Sequence, residues 1–231
     1  MIWRFLLLLI GLHPLHAHQY SVRLGDAVVI VKQQFHGKGP AFVHLHQNEK
    51  TALKAANAVV KGQGGSVLTL VHSGSRNVVF HLHHKRYEFD PNRIFTDVGI
   101  KKSLHQFGPY TPEAHREVKK LAEKIKVLLP KGKIIAVHNN NDYSLKNYFP
   151  GQDHAADAQA LNIRTPGYYR NFYLVTQRKD YRRLRKFNSI WQAFNVTDDG
   201  SLSVYLAGDN YINVEAGYDQ LAAQITMLKH A

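Results

Sequence analysis

Short apolar runs alternate with amphipathic helical stretches along most of this chain, and that alternation is the strongest constraint on its fold. Lys133–Val137 is apolar from Ile134 to Val137, as a strand covered on both faces must be. A helix is expected from Glu49 to Lys61, with Leu53, Ala56, Val59 and Val60 on one stripe and Gly62-Gln63-Gly64-Gly65 ending it. Another begins at Thr111-Pro112-Glu113-Ala114, where Thr caps, Pro opens the first turn and an acid follows; Pro130 stops it after Leu129. Asp219–Lys229 reads as a closing amphipathic helix. Tyr20–Leu24 and Val28–Lys32 form a hairpin pattern around Gly25-Asp26. Further strands are expected in Pro40–His46, Ser66–His72, Asn77–Leu82, Arg86–Phe89, Phe172–Thr176, Ile190–Val196, Leu202–Ala207 and Ile212–Glu215. Strands separated by helices predict an α/β domain, and adjacent strands near both ends predict antiparallel pairs, hence a mixed central sheet flanked by helices. In open sheets of this kind ligands gather beyond the carboxyl ends of the strands, so functional residues are sought there.

The 231 residues fit one domain, and 44% hydrophobic content supplies a core and excludes a disordered chain. No cysteine is present, which excludes a disulfide scaffold, a zinc ribbon and thiol catalysis. Any metal must therefore be held by His and carboxylate. The chain has 30 Lys and Arg against 17 Asp and Glu, a formal charge of +13. Such an excess favours anionic partners: nucleic acid, a membrane or wall surface, or small acidic substrates.

Residues 1–17, MIWRFLLLLIGLHPLHA, have Arg4 before an apolar run from Phe5 to Leu12, then Pro14 and Leu15-His16-Ala17. This is the pattern of a secretory signal peptide, too short to span a bilayer. Residues 18–231 are then a periplasmic or secreted domain, with no membrane span after cleavage.

Three stretches place candidate ligands at strand ends. His46 and Glu49 lie three apart where a strand gives way to a helix, and a turn there can swing both side chains toward one point. His138 ends an apolar strand, with a polar run to Asp142 expected as loop. Two His and one Glu leave a fourth position open, the arrangement of catalytic rather than structural zinc. Glu215, at the end of a third strand and two residues before Gly217, is placed to act as a general base. Around the turn of Lys85–Phe95, Arg86, Asn92 and Arg93 suit a carboxylate, which guanidinium binds in a fork.

In this order the motifs resemble those of the succinylglutamate desuccinylase/aspartoacylase family, and more distantly the zinc carboxypeptidases. His46-Gln47-Asn48-Glu49 matches a zinc motif, Asp90-Pro91-Asn92-Arg93-Ile94-Phe95 a substrate-binding motif, His138 a later zinc ligand and Val214-Glu215-Ala216-Gly217 a catalytic motif. The resemblance covers roughly residues 41–220. It implies a zinc carboxypeptidase-like (phosphorylase/hydrolase-like) single domain in which His46, Glu49 and His138 bind Zn²⁺. It implies Glu215 as base and then acid, Arg86 polarising the scissile carbonyl, and Asn92 and Arg93 gripping a carboxylate. Gln47 stands where the family has glycine, and little chain follows Gly217 to enclose a substrate. These departures favour an open cleft.

The expected activity is therefore zinc-dependent hydrolysis of an amide or peptide bond in a carboxylate-bearing substrate outside the cytosol, a cell-wall peptide among the candidates. The alternatives are an N-acyl amino acid deacylase and a non-catalytic basic module that holds anionic peptide or polymer. Other signals are assigned bland roles. His81, His83 and His84 read as surface histidines with no acid close by, and His44 as a core or supporting residue. The Arg178–Lys186 run reads as a solvated helix, at most drawn to an anionic wall surface, so nucleic acid is not expected as a partner. Tyr168 and Tyr169 are expected to wall the cleft. Amino-terminal sequencing of exported protein should begin at His18; an intact Met1 would contradict the leader.

Overall fold

The computed structural model describes residues 16–231, and most of the expected leader lies outside the described residues. The hairpin pattern near the amino terminus is realised as β1 (His16–Leu24) and β2 (Ala27–Phe35), joined by Gly25-Asp26 with Gly25 at φ +53°. His16 and Ala17 pair with Phe35 and Gln34, so cleavage after Ala17 would shorten β1 without touching the rest of the hairpin. The chain continues through β3 (Ala41–His44), α1 (Lys50–Gln63), β4 (Ser66–Val71), β5 (Val78–Leu82) and β6 (Lys85–Phe89). Then come α2 (Asp97–Phe107), α3 (Pro112–Leu128), β7 (Ile134–Asn140), β8 (Ala158–Asn162), β9 (Phe172–Val175) and α4 (Arg178–Arg183). The last elements are β10 (Ser189–Gln192), α5 (Leu202–Tyr205), β11 (Tyr211–Gly217) and α6 (Leu221–His230).

Nine strands form one mixed sheet in the order β1-β2-β4-β3-β7-β11-β9-β10-β8, and β5 and β6 form a separate hairpin. The centre, β4-β3-β7-β11, is parallel, while β1-β2, β2-β4, β11-β9 and β10-β8 are antiparallel. Helices cover both faces, as the alternation of strands and helices predicts. Side chains of a strand point alternately to its two faces. Ile135 and Val137 of β7, with Ile212 and Val214 of β11, therefore pack with Ala52, Ala56 and Val59 of α1 and Met227 and Leu228 of α6. Ile134, Ala136 and Tyr211 meet the opposite core, which includes Ile100 and Leu104 of α2 and Val118, Leu121 and Ile125 of α3. Among the described residues no helix is long and apolar enough to cross a membrane.

Several elements differ from the sequence expectation. Leu202–Ala207 is not a strand: Leu202–Tyr205 is the short helix α5, and the Ser201 side chain caps it by accepting from the Val204 amide. The two-residue alternation of Leu202, Val204 and Leu206 loses to that cap. α2 was not foreseen, although Thr96 caps it through the Gly99 amide at 3.0 Å and Gly108 follows its end. β8 was also missed, since Ala-Gln-Ala-Leu-Asn contains no β-branched or aromatic residue. β10 ends at Gln192 rather than Val196. The basic run does fall on a helix: α4 carries its first half, and Arg178, Lys179, Arg182, Arg183, Arg185 and Lys186 are all exposed.

The start of α2 presses on the turn before α5. A Cβ at Gly99 would lie 2.2 Å from Gly200 Cα and 2.8 Å from the Arg93 carbonyl oxygen. Backbone on both sides leaves nothing flexible to yield. Gly99→Ala is therefore expected to destabilise the chain by about 3 kcal/mol, the upper range for overpacking. Chemical denaturation would measure it, and a change within about 0.5 kcal/mol would contradict this contact.

Candidate metal centre

Beyond the carboxyl end of β3 the chain turns at once, with the Glu49 amide donating to the His46 carbonyl at 3.0 Å. This turn turns both side chains inward, as the three-residue spacing predicts. Neighbouring β7 contributes His138. The strand does not end there: Asn139 and Asn140 continue it and are buried, so the expected loop starts later. Hydrogen bonds keep these asparagines in the sheet. Asn139 Oδ1 accepts from the Ala52 amide of α1 at 2.7 Å, and Asn140 Nδ2 donates to the Arg170 carbonyl at 3.0 Å.

His46, Glu49 and His138 converge. His46 Nδ1 is 2.8 Å from Glu49 Oε1 and 3.1 Å from His138 Nδ1, and His138 Nδ1 is 3.0 Å from Glu49 Oε2. All three residues are buried. Ligand atoms about 2 Å from a tetrahedral ion sit roughly 3 Å apart, so this group can hold a metal ion. The supporting contacts fit that use. His46 Nε2 lies 2.7 Å from Asp90 Oδ1, the carboxylate–imidazole pairing that orients ligating histidines. His44 Nε2 lies 3.0 Å from the Glu49 carbonyl oxygen and its Nδ1 2.8 Å from Thr69 Oγ1, so His44 supports the turn rather than joining the triad. Burial lowers the pKa of His44 to about 4, which keeps it neutral.

Without metal the centre is an ion cluster. Burial disfavours a proton on His46, but the Asp90 and Glu49 carboxylates outweigh it and raise its pKa to about 9. Burial also opposes ionisation of Glu49, yet His46 and His138 hold it well below the usual carboxylate range. For Asp90 the same contest is won by His46, with Arg93 and Arg76 helping. Arg76, from the loop between β4 and β5, reaches Glu49 Oε1 at 2.6 Å and Asp90 Oδ2 at 3.5 Å.

One cavity of about 500 Å³ collects His46, Glu49, His138, Arg76, Asn92, Arg93 and Glu215. Glu215 is next to His138 in the register of β11 with β7. Its Oε2 accepts from Asn140 Nδ2 at 3.0 Å and its Oε1 from Asn213 Nδ2 at 3.1 Å. Asn92 and Arg93 follow β6 in a turn closed by Asp90, whose Oδ1 accepts from the Asn92 amide at 2.7 Å. Asp199, 3.4 Å away, and Asp90 outweigh the partial burial of Arg93 and raise its pKa.

Arg86 is not among them. The β5–β6 hairpin buries Tyr87 and Phe89, so the two-residue period turns Arg86 outward, where it is half-exposed and pairs with Glu88. Arg76 is the arginine beside the triad; its Ser73-Gly74-Ser75 setting gave no signal for it in the sequence. The surface histidines have acids after all: His81 lies 2.9 Å from Asp26 and His83 3.2 Å from Glu113, and His83 and His84 form a turn with positive φ. Tyr168 lines a different groove, and Tyr169 packs on Phe149; the cavity is walled instead by Tyr143, Tyr148, Tyr211 and Tyr218.

Comparison of the chain with protein-family models, curated proteins and solved structures finds no match.

A metal ion must displace the His46 proton. Its affinity is therefore expected to fall as pH drops below about 9, with proton release on binding measurable by calorimetry in buffers of different ionisation enthalpy. In the metal-free protein the His46 proton contributes stability fully below about 6.5 and loses it as pH rises through about 9. Asp90→Asn should weaken metal binding by about 10–100-fold and His46→Ala should abolish it. Failure of divalent ions to bind stoichiometrically to wild type would contradict the centre.

Proposed function

We propose that the chain is an exported zinc-dependent hydrolase of an amide or peptide bond in a carboxylate-bearing substrate, carboxypeptidase-like in fold and in mode of action. The observation that supports this most is a clamped carboxylate, Glu215, in the same cavity as a His-Glu-His ligand set and an Asn-Arg pair. Zinc held by His46, Glu49 and His138 supplies Lewis acidity for activating water and polarising a carbonyl.

The chain's own residues do the rest. Asn92 and Arg93 bind the substrate carboxylate and so fix the scissile amide in the cavity. Two carboxamide N–H donors hold Glu215 in one orientation. Glu215 takes the proton from the attacking water and returns it to the leaving nitrogen. Arg76, charged and half-exposed beside the triad, stabilises the developing oxyanion in the role the resemblance gives to Arg86.

Glu215→Gln is expected to lower hydrolysis by at least about 10²-fold while keeping metal bound. Arg76→Ala should lower kcat by about 10²-fold, whereas Arg86→Ala should leave it unchanged. A panel of peptides with free carboxyl termini and of N-acyl amino acids provides the substrates. A zinc-loaded wild type inert toward all of them would overturn the reading.

A further inference from the structure

A side chain with no part in ligation ties the metal-binding turn to a neighbouring loop. Gln47 lies between His46 and Glu49, inside the turn closed by the Glu49 amide and the His46 carbonyl. Its Oε1 accepts from two backbone amides of the loop between β4 and β5, His72 at 2.6 Å and Gly74 at 2.9 Å. A carboxamide oxygen has two lone pairs, and both are used. Among the described residues no other side chain from outside the loop meets the backbone of 72–76. The loop's own bonds are short-range: Ser73 Oγ lies 3.1 Å from His72 Nδ1 and accepts from the Ser75 amide at 3.4 Å.

This loop carries Arg76. Its guanidinium reaches Glu49 Oε1 at 2.6 Å and Asp90 Oδ2 at 3.5 Å, yet the side chain is 46% exposed. Ser73, Gly74 and Ser75 before it are exposed, and Gly74 has φ +86°. An exposed Ser-Gly-Ser segment has little packing to hold it, and a half-exposed arginine has many rotamers to lose. The place of the guanidinium then depends on what fixes the backbone before it. The two amides held by Gln47 stand two and four residues before Arg76. Gln47 is itself fixed, because His46 and Glu49 of the same turn are buried. Where the resembled motif has glycine, no side chain could make this bridge.

We infer that Gln47 is a positioning residue, which holds the β4–β5 loop so that Arg76 stands at Glu49 beside the metal centre. For turnover the inference rests on the hydrolase reading and its role for Arg76; for metal binding it does not. A guanidinium at Glu49 Oε1 competes with a metal ion for that oxygen and repels the ion. Releasing the loop lets Arg76 swing into solvent, so a metal ion binds more tightly and a developing oxyanion loses a partner. A bond that merely braced the ligand turn would act in the opposite sense. Its loss would loosen His46 and Glu49 and weaken metal binding.

The test is a double-mutant cycle on the full chain. Zinc affinity, read by competition with a chelating dye, would be compared in wild type, Gln47→Met, Arg76→Ala and the double variant. Gln47→Met keeps the length of the side chain and removes the acceptor. Arg76→Ala is expected to tighten zinc binding by about tenfold and Gln47→Met by about threefold, and Gln47→Met should add nothing once Arg76 is gone. Amide exchange at His72 and Gly74 should quicken by at least about tenfold in Gln47→Met and stay near the wild-type rate in Gln47→Glu, which keeps the acceptor. Unchanged or weaker zinc binding in Gln47→Met, or the same change with and without Arg76, would overturn the inference. In turnover, Gln47→Met should lower kcat by about tenfold at unchanged KM, and Gln47→Glu should recover it. An active wild type with kcat unaltered in Gln47→Met would overturn the inference and leave the hydrolase standing. An inert wild type with the expected zinc cycle would sustain it and remove the hydrolase reading.

Discussion

Glu49 has no contact with solvent, and the centre of the molecule is organised around keeping its charge satisfied. One oxygen meets His46 and Arg76, and the other meets His138 and the Asn139 amide at 3.1 Å. An ionised carboxylate without such partners would be far too costly to bury. The four donors come from the turn after β3, the loop after β4 and the middle of β7, so a single side chain fixes three segments distant in sequence. The Glu49 position at the head of α1 also matters. Its side chain makes no capping bond to the helix it precedes, and Asn139 Oδ1 instead accepts the Ala52 amide. The helix end is satisfied from the neighbouring strand, which leaves the carboxylate to the group that could hold a metal ion.

The same strand binds both layers of the fold. Asn139 Nδ2 donates to the Ala216 carbonyl and to Gln224 of α6, and Gln224 Nε2 donates to the His138 carbonyl at 2.9 Å. Asn139 thus faces the helices while His138 and Asn140, one residue to either side, face the cavity. A two-residue period produces this partition without any special device. It also explains why polar residues sit in the middle of a sheet. On β11, Asn213 and Glu215 occupy the face of Tyr211, and Ile212 and Val214 fill the other core. A slip of one residue would bury Glu215 among α1 and α6 and bring Val214 into the cavity, so the packing of the apolar face sets the register of the polar one.

The parts of this arrangement that were legible in the sequence are those governed by local rules. Apolar runs marked β3, β7 and β11, and the polar residues that follow each run identified His46, Glu49, His138 and Glu215. Asn92 and Arg93 were legible because an Asp-Pro-Asn turn fixes where they project. Arg76 was hidden, since a Gly-Ser loop carries no periodic pattern and its position depends on Glu49 and Asp90, which are remote in the chain. Arg86 was misplaced for the opposite reason. Its neighbourhood has the pattern of one substrate-binding turn, whereas it lies in a separate hairpin whose apolar residues, Tyr87 and Phe89, claim the inward face. Asp90 stands within a motif, but its contact with His46 Nε2 is a tertiary fact. The asparagines Asn140 and Asn213 were hidden among strand residues, because nothing in a single sequence distinguishes a buried carboxamide from a solvated one.

Charge on the surface and charge in the cavity are handled differently in this strongly basic chain. The exposed Arg178–Lys186 run is partly structural: Asp180, almost fully buried, draws Arg183 to 2.8 Å and Lys133 to 3.4 Å, and Arg178 stands over the Trp191 ring. The field of the remaining surface cations fades over a Debye length of about 8–10 Å in salt. Inside the cavity the groups are paired at contact, where the screening is weaker: Glu49 and Asp90 share Arg76, and Arg93 lies 3.4 Å from Asp199.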